Sequence, residues 1–216
     1  LFQIQKVVPK KIPVEAAGLL CTWREVYAGF RDFKLGPGEV IIIFGAGPVG
    51  LSFVKFARLF GMKFIGCVDP DRAKREKAIA LGADNVFSPD DKELCRLAQR
   101  RGRPLDAVVD AVGRESIINS ALPLIKRAGS GCVYGVIDVP NIKLAKNSGP
   151  YNFNLFVHQW PTRAYEAAAQ EPICRWIRDG KLKFEDFITA EFKITQIQDA
   201  IDCVKNGKAL KVALRF

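Results

Sequence analysis

Apolar positions along the chain fall into two alternating periods. Val40–Phe44, Phe64–Val68 and Leu105–Val109 (with Ala111) are short, nearly unbroken apolar runs, as expected of strands buried on both faces. Between them, apolar residues recur at three- and four-residue steps. Val14–Phe33 shows this through Ala17, Leu20, Cys21, Val26 and Phe30, and Leu51–Phe60 through Leu51, Val54, Ala57 and Phe60. Asp71 is placed to cap a helix running to Leu81, which Gly82 closes. Further elements are predicted as a strand at Asp84–Phe87, helices at Asp90–Arg101 (stopped by Gly102 and Pro104) and Glu115–Arg127, and strands at Gly131–Val136 and Asn152–Gln159. Five repetitions of strand and helix imply right-handed crossovers and a parallel sheet, an α/β doubly wound fold.

Beyond Trp160 the rhythm changes. A helix over Thr162–Gly180 interrupted near Pro172, an extended Phe184–Thr189, a helix Gln196–Asn206 capped by Thr195, and a last strand Leu210–Phe216 do not continue the count. They are expected to belong to another layer or domain.

The turn after the first strand carries the chemistry. Gly45-Ala46-Gly47-Pro48-Val49-Gly50 stands between a buried strand and a helix, and Asp69 ends the next strand. In that context Gly45 permits the tight turn, Gly47 leaves room for a pyrophosphate, and Gly50 lets the helix approach the sheet. The helix N-terminus offers unpaired N–H groups to phosphate. Asp69 would accept the adenine-ribose hydroxyls and repel a 2′-phosphate, which favours NAD over NADP. Arg72 and Lys74 are the nearby bases that would hold such a phosphate in the alternative case.

Composition narrows the partners. At 216 residues and 49% hydrophobic, the chain can bury a sizeable core. A net charge of +10 raises the question of nucleic acid. Its basic residues are spread over helices without interleaved aromatics, so solvated faces and no nucleic-acid partner are expected. No apolar run approaches the ~20 residues of a membrane span. The six cysteines lack CxxC spacing, which excludes an internal zinc ribbon and points to a reduced, cytoplasmic protein. Opening on Leu1 rather than methionine, the chain reads as part of a longer protein.

These motifs, taken in order, resemble the zinc-containing medium-chain alcohol and polyol dehydrogenases. The resemblance is carried by Glu15–Cys21 (EAAGLLC), Gly36–Glu39, Gly45–Gly50, Val68-Asp69, Ala80–Asp84, Leu105–Gly113, Thr195–Val204 and Lys208–Leu214. It implies a Rossmann domain over residues 22–159, preceded by the end of a catalytic domain (1–21) and followed by a return to that domain (160–216). By resemblance, Val49 backs the nicotinamide, Lys74 lies beside the adenine ribose, Val112, Tyr134 and Val136 surround the nicotinamide, and Lys211 points towards the pyrophosphate. Cys21 matches one protein ligand of a catalytic zinc, whose other ligands the family draws from the preceding domain. The resemblance further implies NAD and zinc as cofactors, a small alcohol or polyol as substrate, and a homo-oligomer. His158, the single histidine, is expected to be packed or at the surface rather than catalytic. The other functional class compatible with the residues is a non-enzymatic dinucleotide-binding sensor or scaffold.

Overall fold

The computed structural model describes residues 6–99 and 105–216, with Cys95, Ala98 and Gln99 described by backbone alone. Six parallel strands form the main sheet: β1 Val40–Phe44, β2 Phe64–Val68, β3 Asn85–Phe87, β4 Leu105–Asp110, β5 Ile125–Val133 and β6 Asn154–Val157. Their spatial order is β3-β2-β1-β4-β5-β6. The order reverses between β1 and β4, so the carboxyl ends of these two strands frame a crevice.

Each inner strand buries both faces, which is why its sequence is continuously apolar. Ile41 and Ile43 enter a core with α1 (Val14–Asp32) and α2 (Pro48–Phe60). Ile42 and Phe44 point the other way, to a core with α4 (Lys92–Gln99) and Leu122. On α1 the buried residues Ala16, Leu19, Leu20, Trp23, Val26 and Phe30 follow the helical period. α3 (Arg72–Leu81) starts and ends as its sequence predicts, with Asp71 accepting the Ala73 N–H and Gly82 in the left-handed region.

The expected helix over Glu115–Arg127 is cut short. α5 ends at Ala121, and Leu122–Leu124 forms a single 3-10 turn around Pro123, whose nitrogen cannot donate to an α-helical ladder. β5 therefore begins at Ile125, and stops at Val133 rather than Val136. Its exposed stretch Lys126–Ala128, with Ala128 at φ 63°, forms an irregularity in the pairing with β4 that reads as polar helix or turn in sequence. α4 covers Lys92–Gln99, while Gly102 and Pro104 lie outside the described residues.

Past β6, α6 (Arg163–Arg178) runs unbroken through Pro172. Its buried residues Ala169, Ile173 and Cys174 share the core of α1 and α2, and that packing outweighs the proline's cost. Phe184–Thr189 is not extended; Phe184–Asp186 is a 3-10 turn that delivers Phe187 edge-on to Trp23, centroids 5.5 Å apart. β7 (Ala190–Lys193) and β8 (Val212–Arg215) pair in parallel as a small second sheet. Thr195 caps nothing, lying inside a 3-10 turn before α7 (Ile197–Lys205). Among the described residues no helix is long and apolar enough to cross a membrane.

Candidate functional site

At the mouth of the crevice the three glycines of the turn have separate reasons to be glycine. Gly45 sits at φ +96°, and a Cβ there would lie 2.7 Å from the Val112 side chain. A Cβ on Gly50 would lie 1.8 Å from the Gly45 carbonyl oxygen, so the helix is pressed against the turn it leaves. Gly47 differs: a Cβ would meet no protein atom within 4 Å, and its backbone is ordinary extended chain. Among the described residues nothing fills that space, and no side chain caps the N-terminus of α2 that opens onto it. Val49, one residue inside α2, is half-buried against the core.

Asp69 is bonded to the same turn. It is only 7% exposed, and its two oxygens accept the Ala46 N–H (2.7 Å) and the Asp71 N–H (2.9 Å). The carboxylate thus ties the glycine turn to the β2–α3 loop, and each oxygen keeps a lone pair for a further donor. Arg72 is turned to Glu76 on its own helix, 2.9 Å away. Lys74 instead lines a cleft of about 900 Å³ together with Gly45, Asp69, Val112, Arg114 and Ile117.

The opposite wall is built on a residue that the sequence reading passed over. Asp110, 2% exposed at the end of β4, accepts the N–H groups of Val112 (2.8 Å) and Gly113 (2.9 Å) with one oxygen. Its other oxygen is buried without a hydrogen-bond partner among the described residues. Burial pushes this carboxyl above its ordinary range, and the N–H groups of Gly113, Val112 and Arg114 offset that only in part. Its signal in sequence is the one Asp69 also shows, an acid ending an otherwise apolar strand just before a loop.

Val112 faces the cleft, and Val136 is exposed beyond it. The Tyr134 ring turns into the α1–α2 side, stacked on His158 (4.9 Å between centroids, 13° between planes) and edge-on to Phe53. Burial pushes its phenol up, and the charges of Glu25, Cys21 and Glu166 add to the rise. His158 is packed, with Nδ1 3.0 Å from an Asp32 oxygen, and burial lowers its pKa against the pull of that carboxylate.

Cys21 on α1 and Lys211 just before β8 form a separate group. The exposed Cys21 thiol donates to Glu25 Oε1 at 3.9 Å, one helical turn on. Lys211 Nζ donates to Thr22 Oγ1 at 3.1 Å. Arg24 reaches across to α6, donating to Glu166 (3.0 Å) and Gln170 (3.2 Å). Burial, then the Glu25 carboxylate, pushes the Cys21 thiol up; burial, then Glu166, raises Glu25. Burial lowers Lys211.

Residues 48–159, just over half the chain, match the family model described as zinc-binding dehydrogenase. The chain belongs to the zinc-binding dehydrogenases. It is 26% identical over 220 residues to D-arabinitol dehydrogenase 1 of Uromyces fabae, covering 99% of this chain and 62% of that protein. With sorbitol dehydrogenase of Bombyx mori it shares 27% over 187 residues, covering 84% and 52%. This zinc-binding dehydrogenase chain thus spans between half and two thirds of the length of these relatives. Its fold matches alcohol dehydrogenase TADH from Thermus sp. ATN1 with a TM-score of 0.84, at 22% identity over 97% of this chain and 62% of that one.

Zinc takes four donors, drawn from thiolate, imidazole and carboxylate. Among the described residues of this dehydrogenase chain, no three His, Cys, Asp or Glu side chains converge on one point. What the chain presents is the Cys21 thiol on α1, with the Glu25 carboxylate beside it. The thiol is chemically fit to be one donor; the others would have to come from outside the described residues.

Proposed function

We propose that this chain is the NAD-binding part of an alcohol or polyol dehydrogenase. The observation that carries the reading is Gly47: an unfilled position with unstrained backbone, at an uncapped helix N-terminus, beside a buried aspartate. A pyrophosphate fits that space, its charge met by the first N–H groups of α2. Asp69, already held by two backbone donors, would accept the adenine-ribose hydroxyls with its remaining lone pairs and repel a 2′-phosphate. Lys74 would supply a cation at the ribose rim, and Val112 and Val136 an apolar wall for the nicotinamide. NAD would take up hydride from a secondary alcohol, and zinc would supply Lewis acidity to the alcohol oxygen. The chain's own work is to bind and orient the dinucleotide and to keep one side of the cleft dry.

The names of the D-arabinitol and sorbitol relatives support a polyol as substrate. The proposal includes residence in the cytoplasm and self-association through the edge of the sheet. Calorimetric titration of the purified chain with NAD and NADP tests the cofactor. Binding of NAD with NADP at least tenfold weaker is expected; equal or tighter NADP binding overturns the Asp69 assignment. Assay of the complete reading frame with NAD and a panel of secondary alcohols and polyols tests the activity.

A further inference from the structure

Three basic residues in the first turn of α3 go three ways. Arg72 turns to Glu76, and Lys74 lines the cleft. Arg75 turns back under the loop that joins β2 to α3. One nitrogen of its guanidinium, Nη1, donates to the carbonyl oxygens of Asp69 (2.7 Å) and Pro70 (2.9 Å). Asp90, on the loop after β3, feels the charge of Arg75, but among the described residues the two form no ion pair. The guanidinium is thus committed to two neutral carbonyls, and what it holds is backbone.

We infer that Arg75 is a positioning residue for Asp69, and through it a determinant of which dinucleotide the chain takes. This deepens the proposed function and rests on its NAD site. The link is the planarity of one peptide unit. The Pro70 carbonyl and the Asp71 N–H belong to the same rigid plane and point in opposite directions. Arg75 holds that carbonyl on one side, so the N–H is aimed to the other, where an Asp69 carboxylate oxygen accepts it at 2.9 Å. The second carboxylate oxygen accepts the Ala46 N–H at 2.7 Å. Arg75 therefore fixes one of the two bonds that orient the carboxylate. The preceding peptide unit has no N–H with which to anchor itself, because its nitrogen belongs to Pro70. Its carbonyl, that of Asp69, is the other one that Arg75 takes. With both planes held, the lone pairs left on the Asp69 carboxylate face a fixed direction. Discrimination between a ribose hydroxyl and a 2′-phosphate requires that. With the clamp gone, the loop can turn and the carboxylate loses its aim.

The test uses the protein from its complete reading frame as wild type, Arg75→Lys, Arg75→Met, Asp69→Asn, and Asp69→Asn combined with Arg75→Met. Each is titrated calorimetrically with NAD, NADP and an NAD analogue lacking the adenosine 2′-hydroxyl. Arg75→Met keeps the apolar stem and removes both donors. It is expected to weaken NAD about tenfold, the scale of a hydrogen bond to a charged group. The 2′-deoxy analogue and NADP should lose less, so that the preference for NAD narrows. Arg75→Lys keeps the charge without the planar fork, and should behave more like Arg75→Met than like wild type. Should Arg75→Met fail to fold, Arg75→Lys carries the same comparison. In the combined variant, Arg75→Met should add little to the loss caused by Asp69→Asn, since both act on one contact. A role as a mere cation predicts the reverse: NADP, with its extra phosphate charge, would lose most, and Arg75→Lys would restore it. That result, equal losses for all three ligands, or additive losses in the combined variant overturns the positioning role while leaving the Asp69 assignment in place. A wild type that binds neither dinucleotide, or binds NADP as tightly as NAD, overturns both.

Discussion

Gly47 shows how a single residue can be explained by what the protein does not put beside it. Gly45 and Gly50 are glycine because neighbouring atoms leave no room, whereas Gly47 borders open space on unstrained backbone. Gly47→Val should therefore fold normally, with unchanged circular dichroism and melting temperature. It should lose NAD affinity by at least a hundredfold, about 2.7 kcal/mol. A destabilised variant, or one that still binds, would contradict this account of the turn. Asp110 poses the reverse case, a buried carboxylate whose second oxygen has no partner among the described residues. Its pKa is higher folded than unfolded, so the folded chain holds the extra proton. The contribution to stability is present below the ordinary carboxylate range and is lost as pH rises through the raised value. Asp110→Asn, which can still accept from Val112 and Gly113, should flatten that slope in urea melts at pH 5 and pH 8. Asp110→Ala should cost about 1–3 kcal/mol at both, because it strands the buried Gly113 N–H and the half-buried Val112 N–H.

Between elements, the pairing of α1 with α6 is the contact that no period in the sequence announces. Arg24 and Glu166 lie 142 positions apart and meet at 3.0 Å with side chains 13% and 6% exposed. Glu166→Ala leaves a buried guanidinium with only Gln170 among the described residues, and should cost about 3 kcal/mol in chemical denaturation. Arg24→Met combined with Glu166→Leu should recover most of that loss, because the charges are removed together. If the single variant is neutral, the pair does not hold the helices. Elements governed by local chemistry were legible: the β1 run Ile41–Ile43, the Asp71 cap and the Gly82 stop all lie where the residues say. Those governed by distant packing were not. Pro172 reads as a break because the partner surface on α1 that keeps α6 whole lies far away in sequence. Ile125 reads as helix because the β4 edge that recruits it precedes it by a whole crossover. The candidate site divides the same way. Its glycines and Asp69 follow from a local strand–turn–helix pattern, Cys21 from resemblance alone, and Asp110 was missed because its role is to accept N–H groups in a loop.

At the scale of the whole molecule, the sheet ends unequally. β3 is a three-residue edge, whereas β6 presents Asn154–Val157 with no strand of the described residues on its outer side. Around it lie Val136 (75% exposed), Val157 (52%) and Trp160 (66%), an apolar rim beside unpaired backbone groups. Such an edge is a template for pairing with another strand unless a charge or a proline guards it, and none stands within β6. A second copy of the chain offers the same edge, and two β6 strands related by a two-fold axis would run antiparallel and extend the sheet across the contact. The net charge of +10 opposes this association, so higher salt should strengthen it. We expect sedimentation velocity at tens of micromolar protein to show a monomer–dimer equilibrium that shifts towards dimer between low and high salt. Val157→Lys places a charge on the edge at an already exposed position, and should give a monomer with unchanged melting temperature in dilute solution. A wild-type chain that stays monomeric at high concentration and high salt, or a Val157→Lys chain that dimerises as before, would show that β6 is not the surface through which the copies meet.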